Sequence, residues 1–346
     1  MKYAKLPNTS LTVSKLCLGT MTWGRQNTES HGHAQLDVAL EKGINFVDTA
    51  EMYSVPYSDE TQGSTERIIG SWLKNTGNRD QIILASKIAG PSRGLISIRN
   101  PLDFSAAAID DALHKSLSRL QTDYLDLYQL HWPERDVNVF GKRNYKYGSN
   151  EKWEDNIALI LDRLEMHVKA GKIRYVGASN ETPFGLMRYM EEQRGGRKLK
   201  MVSTQNSYNL LQRKDEIGLT EVLEMENIGY LAYSPLAFGV LSGKYLDGKK
   251  PVGARVTEFP NYSRYNSKSS LLATKRYRDI AQKSGLSLPQ MALAFVNERP
   301  FVTSNIIGAT NIEQLTENIE SIDISLSEDT LRTIQKVHSE IPNPAP

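Results

Sequence analysis

The sequence predicts an α/β fold, a single (β/α)8 barrel with an N-terminal β-hairpin, long loops on the C-terminal face and an extra C-terminal helix. Three observations predict it. From Lys15 onward, short apolar strand-like runs alternate with helix-like patterns, which is how parallel strands joined by crossover helices read. Chemically active side chains collect where apolar runs end, at Asp48 and Tyr53, at Lys87 and at His131, and the strand C-termini form the working face of a TIM barrel. Finally, 346 residues exceed the roughly 250 that such a barrel needs, and the surplus falls in stretches that follow strands. One elaborated barrel domain over residues 1–346 is therefore expected.

The elements follow in order. Tyr3 to Leu6 and Thr12 to Leu16 alternate around Pro7-Asn8-Thr9-Ser10, the pattern of a hairpin. Barrel strands are expected near Leu16–Leu18, Asn45–Asp48, Ile82–Ala85, Tyr124–Gln129, Tyr175–Ala178, Val202–Gln205, Tyr230–Tyr233 and Asn305–Ile307. Helices are expected to start near His33, Ser64, Ser105, Trp153, Pro183, Glu216, Leu288 and Ile312. A terminal helix spans Glu328–His338, and the tail from Pro342 to Pro346 packs or frays at the surface.

Composition excludes several classes. Lys+Arg 42 against Asp+Glu 40 leaves a formal charge of +2, so there is no broad field for nucleic acid or an anionic membrane. The basic clusters Lys142–Lys146 and Arg194–Lys200 lie in Gly-containing polar stretches and read as solvated loops. The single cysteine, Cys17, cannot form an internal disulfide, which suits a reducing compartment. No run approaches the roughly 18 apolar residues of a membrane span, and a cytoplasmic location is expected.

Each member of the proposed site has a bland reading: Asp48 as a helix N-cap, Tyr53 as a core-edge aromatic, Lys87 as a solvated strand end, His131 as a histidine packed beside Trp132. For any one alone that reading is the better choice. All four, however, follow apolar strands at their C-terminal ends, and scattered polar residues would not respect strand polarity. They are read as one site.

Motifs along the chain carry a resemblance. They are Gly19-Thr20-Met21, the F-V-D-T-A-E-M-Y run ending at Tyr53, Ser86-Lys87, Gln129 to Trp132, Gly177 to Asn180 and Gln205 to Tyr208. Ala232 to Leu236, Leu241 to Lys244, and G-A-T with Gln314, Glu317 and Asn318 behind it complete the set. In this order, from about Leu6 to Leu331, the chain resembles the aldo-keto reductases, most of all the branch that holds the potassium-channel β subunits.

The resemblance implies reduction of a small aldehyde or ketone by hydride transfer from NADP(H). Negative charge develops on the carbonyl oxygen, so a proton donor must stand there. In this reading Tyr53 is the acid. Lys87 lowers its pKa, typically by about 1–3 for a neighbouring opposite charge, while Asp48 anchors Lys87 and His131 orients the carbonyl. No G-x-G-x-x-G follows a strand, so the nucleotide is expected across the barrel mouth rather than on a Rossmann unit. The resemblance places Tyr233 against the nicotinamide and Ser179, Asn180 and Gln205 at its carboxamide, with Thr20, Met21 and Asp48 beside it. Ser234, Leu236, Gly239, Leu241, Gly243 and Lys244 run along the pyrophosphate, and Gly308, Thr310, Gln314, Glu317 and Asn318 line the last unit. Arg255 contacts the 2′-phosphate. Ala309 and Gln314 stand where some relatives carry basic groups, so the NADP(H) preference rests on Arg255 and Lys244. The rival reading is a regulatory protein that keeps the nucleotide as a redox-sensing ligand. A metal-dependent hydrolase on the same fold is disfavoured because no zinc-spaced ligand set appears.

Ser54–Gly63, Gly90–Phe104 and Pro133–Lys152 exceed ordinary loop length, which is usual for functional loops, and all follow site-bearing strands. They are expected to wall the substrate pocket, with Phe140, Tyr145 and Tyr147 closing it. Leu236–Ser269 matches the family's cofactor-covering loop. Two signals are discounted. Gly239 to Lys244 lacks the spacing and the Ser or Thr of a P-loop, and His31 with His33 reads as loop polarity rather than a metal pair. The sequence leaves the oligomeric state open.

Overall fold

The computed structural model describes every residue except 92–94, 96, 263 and 346. Strands β1 (Tyr3–Lys5) and β2 (Thr12–Ser14) pair antiparallel with Tyr3 opposite Ser14. The next eight strands close into a parallel barrel: β3 (Leu16–Gly19), β4 (Phe46–Asp48), β5 (Ile83–Ile88), β6 (Leu125–Leu130), β7 (Ile173–Ser179), β8 (Met201–Ser207), β9 (Gly229–Tyr233) and β10 (Val302–Ile307), which returns to β3. The helices are α1 (Glu29–Glu41), α2 (Ser64–Thr76), α3 (Ala106–Leu120), α4 (Ile157–Lys169), α5 (Pro183–Arg194), α6 (Leu219–Met225), α7 (Arg255–Glu258), α8 (Lys268–Lys283), α9 (Leu288–Asn297), α10 (Ile312–Glu320) and α11 (Glu328–Glu340).

Local chemistry sets their starts. Thr28, Ser105, Thr182, Asn311 and Ser327 each accept a backbone N–H of the following turn through a side-chain oxygen, and Ser287 with Gln290 forms a capping box before α9. Such caps typically contribute about 1 kcal/mol each. Thr28 starts α1 at Glu29, earlier than the expected His33, so His31 and His33 stand on a helix and not in a loop. His33 Nε2 lies 3.1 Å from the Ile68 carbonyl and 2.9 Å from Ser71 Oγ, and no metal-ligating cluster exists among the described residues.

Three further differences lie in the helices. Helix α4 begins at Ile157 rather than near Trp153, and Asp155 Oδ1 accepts the Ile157 N–H at 3.2 Å just before it. A short 3-10 turn, Lys214–Ile217, precedes α6, which starts at Leu219 rather than Glu216. Helix α8, absent from the expected elements, is amphipathic, capped by Ser267, and buries Ala273, Tyr277 and Ala281. The tail packs rather than frays over its described part: Ala345 is buried and donates to the Leu211 carbonyl at 3.1 Å.

The barrel interior explains where the site stands. Cys17, Phe46, Ala85, Leu127, Val202 and Leu231 form its apolar floor, and the hairpin contributes Leu6, Leu11 and Val13 to the same cluster. A Cβ on Gly229 would come within 2.8 Å of Leu6 Cδ1, so this plug needs glycine where it meets β9. Side chains two apart on a strand face the same way. One layer above Phe46, Ala85 and Leu127 therefore come Asp48, Lys87 and Gln129, and the inward face turns from apolar to polar. No described helix is long and apolar enough to cross a membrane.

Candidate active site

Lys87 stands at the centre of the polar layer, with 0% relative exposure. An ammonium has three donors, and all three are accounted for. Its Nζ donates to Asp48 Oδ2 at 2.6 Å, to the Thr49 carbonyl at 2.7 Å and to Tyr53 Oη at 3.5 Å. Asp48 Oδ1 in turn accepts Gln205 Nε2 at 2.8 Å and Gln129 Nε2 at 3.2 Å. The carboxylate is thus held by three strands besides its own. Burying an ion pair costs several kcal/mol of desolvation per charge unless such extra hydrogen bonds satisfy it.

Tyr53 and His131 complete the group, both nearly buried. Their rings meet edge-on at 5.7 Å with an interplanar angle of 74°. His131 is fixed through its backbone: its N–H donates to Ile88 O at 3.0 Å, and its carbonyl accepts Asn180 Nδ2 at 2.8 Å. Its ring packs on Trp132 at 4.9 Å. Asp48, Tyr53, Lys87 and His131, scattered over the sequence, form one cluster.

The electrostatics differ from expectation in one respect. Burial pushes the Tyr53 phenol above its ordinary value, and the Lys87 charge, which pulls it down, does not overcome burial. Burial likewise pulls the Lys87 ammonium down, but the charges of Asp48 and Tyr53 more than offset this and hold it above its ordinary value. Both groups are therefore protonated near neutral pH. Because Lys87 occupies a lone pair of the phenol oxygen, the phenol's own hydrogen is left to donate.

The remaining expected contacts fall around this cluster. Tyr233 Oη donates to Asn180 Oδ1 at 2.7 Å, while Ser179 Oγ and the Asn180 N–H both donate to the Gln205 carbonyl at 2.8 and 2.9 Å. Thr20 Oγ1 donates to the Asp48 carbonyl at 2.8 Å, and Met21 packs with Ala50, Tyr53, Val55 and Tyr262. Ser234 has φ 55°, and Gly239 and Gly243 have φ 85° and 78°, so the chain after Leu236 turns through left-handed positions. The Leu241 side chain is buried in the core, which leaves only its backbone for a ligand. At the last unit Gln314 Oε1 accepts the Thr310 N–H and Oγ1, and Asn318 Nδ2 donates to the Gly308 carbonyl at 3.2 Å. Glu317 is taken by Ser287 Oγ at 2.7 Å.

Lys244 and Arg255 share one side of the mouth. Burial holds each below its ordinary value, and for Lys244 the charge of Arg255 adds to the effect. Arg255 lies over the Phe238 ring at 5.1 Å and Lys244 over Tyr245 at 5.7 Å, and neither pairs with a carboxylate among the described residues. Two half-buried cations that repel one another fit a phosphate-bearing ligand, as do the left-handed glycines beside them. A Cβ on Gly239 would come 2.8 Å from Lys244 Cε.

A family model, Aldo/keto reductase family, matches residues 15–339. The chain belongs to the aldo/keto reductase family. Family members generally use a nicotinamide nucleotide, and membership gives the chain an oxidoreductase role. Among relatives, Protein tas of Escherichia coli (strain K12) is 49% identical over 352 residues, covering 100% of both chains. Uncharacterized oxidoreductase YrpG of Bacillus subtilis (strain 168) is 32% identical over 97% of this chain and 96% of that protein. An aldo-keto reductase of Babesia bovis is 38% identical over 75% of this chain and 96% of its own length.

Two residues near the site were given no role in the sequence reading. Gln129 was legible as the residue two after Leu127 on an inward face. Glu51, 1% exposed, accepts the Ala89 N–H at 2.7 Å and Arg99 at 2.9 and 3.2 Å, and so clips the turn carrying Tyr53 to the end of β5. Its partner Arg99 lies 48 residues away, and no local pattern foretells it. Of the loop aromatics, only Phe140 turns inward, meeting Trp132 at 6.1 Å. Tyr145 and Tyr147 are 54% and 97% exposed, and residues 142–148 around them are exposed as well. The expectation for Gly90–Phe104 lies partly outside the described residues.

Proposed function

We propose that this protein is an NADP(H)-dependent reductase that converts small aldehydes or ketones to alcohols. The observation that carries the reading is the buried ammonium of Lys87, shared between the Asp48 carboxylate at 2.6 Å and the Tyr53 phenol at 3.5 Å, with His131 edge-on to the phenol. When bound, the reduced nicotinamide supplies the hydride. Tyr53 delivers the proton to the carbonyl oxygen as charge builds there. Lys87 stabilises the phenolate that remains, and Asp48 holds Lys87 charged. His131 donates a hydrogen bond that orients the oxygen. Tyr233, Ser179, Asn180 and Gln205 would hold the nicotinamide end, Ser234 to Lys244 the pyrophosphate, and Arg255 with Lys244 the 2′-phosphate.

The preference for NADP(H) is supported by those two cations, since a monoester phosphate offers them an anion that the described residues do not. The test is loss of reduced-nicotinamide absorbance over a panel of aldehydes and ketones, with NADPH and NADH in parallel. Turnover with NADPH at lower KM than with NADH is expected. No turnover of any carbonyl would favour a nucleotide-binding regulatory role instead.

A further inference from the structure

A cavity of about 190 Å3 opens beside the site, between the loops that follow β6, β7 and β8. Asn180 belongs to both: it lines the cavity and also bonds the His131 carbonyl and the Tyr233 hydroxyl. Phe140, which packs on Trp132 beside His131, lines it as well. The cavity therefore adjoins the place assigned above to the carbonyl.

Its lining carries two cations, Lys214 and Arg264, and two acids, Glu181 and Asp215, of which Glu181 is held by Arg135 from outside the lining. Lys214 donates to the Asn138 carbonyl at 2.8 Å, which leaves two of its three N–H donors unassigned. Arg264 Nη2 donates to Ser207 Oγ at 2.8 Å, whereas its buried Nε has no hydrogen-bond partner among the described residues. Neither cation makes an ion pair there. Of the acids, Glu181 is already paired with Arg135 at 2.6 Å. Asp215 Oδ2 accepts Asn206 Nδ2 at 3.0 Å and Tyr230 Oη at 2.8 Å, so its carboxylate is held toward the β8 and β9 side. Lys214 and Arg264 set against Asp215 leave one positive charge over. One monoanion would balance that charge and accept the two Lys214 N–H donors that the Asn138 carbonyl leaves unassigned.

We propose that this cavity is a substrate subsite for a carboxylate carried by the carbonyl compound, bound by Lys214 and Arg264. The proposal rests on the reductase reading, since the ligand is the remote end of the molecule being reduced. It gives the enzyme a preference for oxo-acids over neutral aldehydes of the same length. A single negative charge matches the one-unit excess better than a phosphate dianion does.

The test compares 5-oxopentanoate with pentanal under NADPH. The wild-type protein should show kcat/KM at least about tenfold higher for 5-oxopentanoate, as a charge-assisted hydrogen bond typically gives, and added salt should erode that ratio. Arg264→Met should lower the ratio about tenfold, with Arg264→Lys retaining part of it. Lys214→Met should lower it in the same sense. Equal kcat/KM for the two aldehydes in the wild-type protein would overturn the subsite even if a variant fails to fold, while leaving the reductase reading intact. A preference for glyceraldehyde 3-phosphate over glyceraldehyde without one for 5-oxopentanoate would overturn the carboxylate assignment. Turnover of no carbonyl at all would overturn the reductase reading and this inference with it.

Discussion

Replacing Asp48 with Asn keeps the shape and the hydrogen-bonding reach of the side chain but removes the carboxylate that pairs with Lys87 at 2.6 Å. In the wild-type protein that ammonium is fully buried and has Asp48 Oδ2 at 2.6 Å, Thr49 O at 2.7 Å and Tyr53 Oη at 3.5 Å. Removing one partner of a buried pair strands the other charge and typically costs about 3–5 kcal/mol. Because burial is the largest influence on Lys87 and acts downward, the variant's lysine should fall below its ordinary value. The pH dependence then has a definite sign. In the wild type Lys87 is held above its ordinary value, so its contribution is complete below about pH 10 and is lost as pH rises through the folded value. In Asp48→Asn the lysine binds its proton more weakly folded than unfolded, so the variant gains stability as pH rises toward about 10. Urea denaturation followed by circular dichroism should thus give a deficit of about 3–5 kcal/mol near pH 7, with a smaller deficit near pH 10. A neutral-pH deficit under about 1 kcal/mol, or one independent of pH, would refute the view that this pair is buried and mutually dependent.

Other expectations follow from the same contacts. Lys87→Met removes the charge that pulls the Tyr53 phenol down against burial, so kcat should fall and the basic limb of any residual activity should move to higher pH; a pH–rate profile with an unmoved limb contradicts that role. Arg255→Ala should weaken NADPH by roughly tenfold or more, the effect of losing a charge-assisted hydrogen bond, and leave NADH nearly unchanged in a fluorescence titration. Equal weakening of both nucleotides removes the 2′-phosphate assignment. Shortening the loop between Val137 and Ser149 takes out Phe140, whose ring packs on Trp132. Relative kcat/KM values across small and bulky carbonyls should change while NADPH affinity holds, and a uniform factor for every substrate would make the loop structural only.

The barrel was legible because most of its strands contain a short buried apolar stretch, such as Leu16–Leu18, Phe46–Val47 and Ile306–Ile307, and such stretches survive in the sequence without reference to partners. The polar layer was legible for a related reason: Asp48 and Lys87 each lie two residues beyond an inward apolar side chain. What escaped depends on contacts between distant parts of the chain. The α8 stretch was assigned no element because its Lys- and Arg-rich outer face masks the stripe formed by Ala273, Tyr277 and Ala281. The Glu51–Arg99 pair joins two loops whose meeting no periodicity encodes. The direction of the Tyr53 shift was misjudged since the sequence displays the neighbouring charge of Lys87 and conceals the burial that outweighs it. Tyr145 and Tyr147 were assigned to a pocket by their chemistry alone, and nothing local reports that the loop turns them to solvent.

The most direct test of the central claim is Tyr53→Phe, which deletes one oxygen and preserves the ring that packs against His131 at 5.7 Å. Turnover of a good aldehyde and the dissociation constant of NADPH should be measured on the same preparation. If Tyr53 gives the proton, kcat should fall by about 10²–10⁴-fold, the usual contribution of a positioned general acid, while NADPH binds as before. Wild-type kcat in the Tyr53→Phe protein would contradict the account.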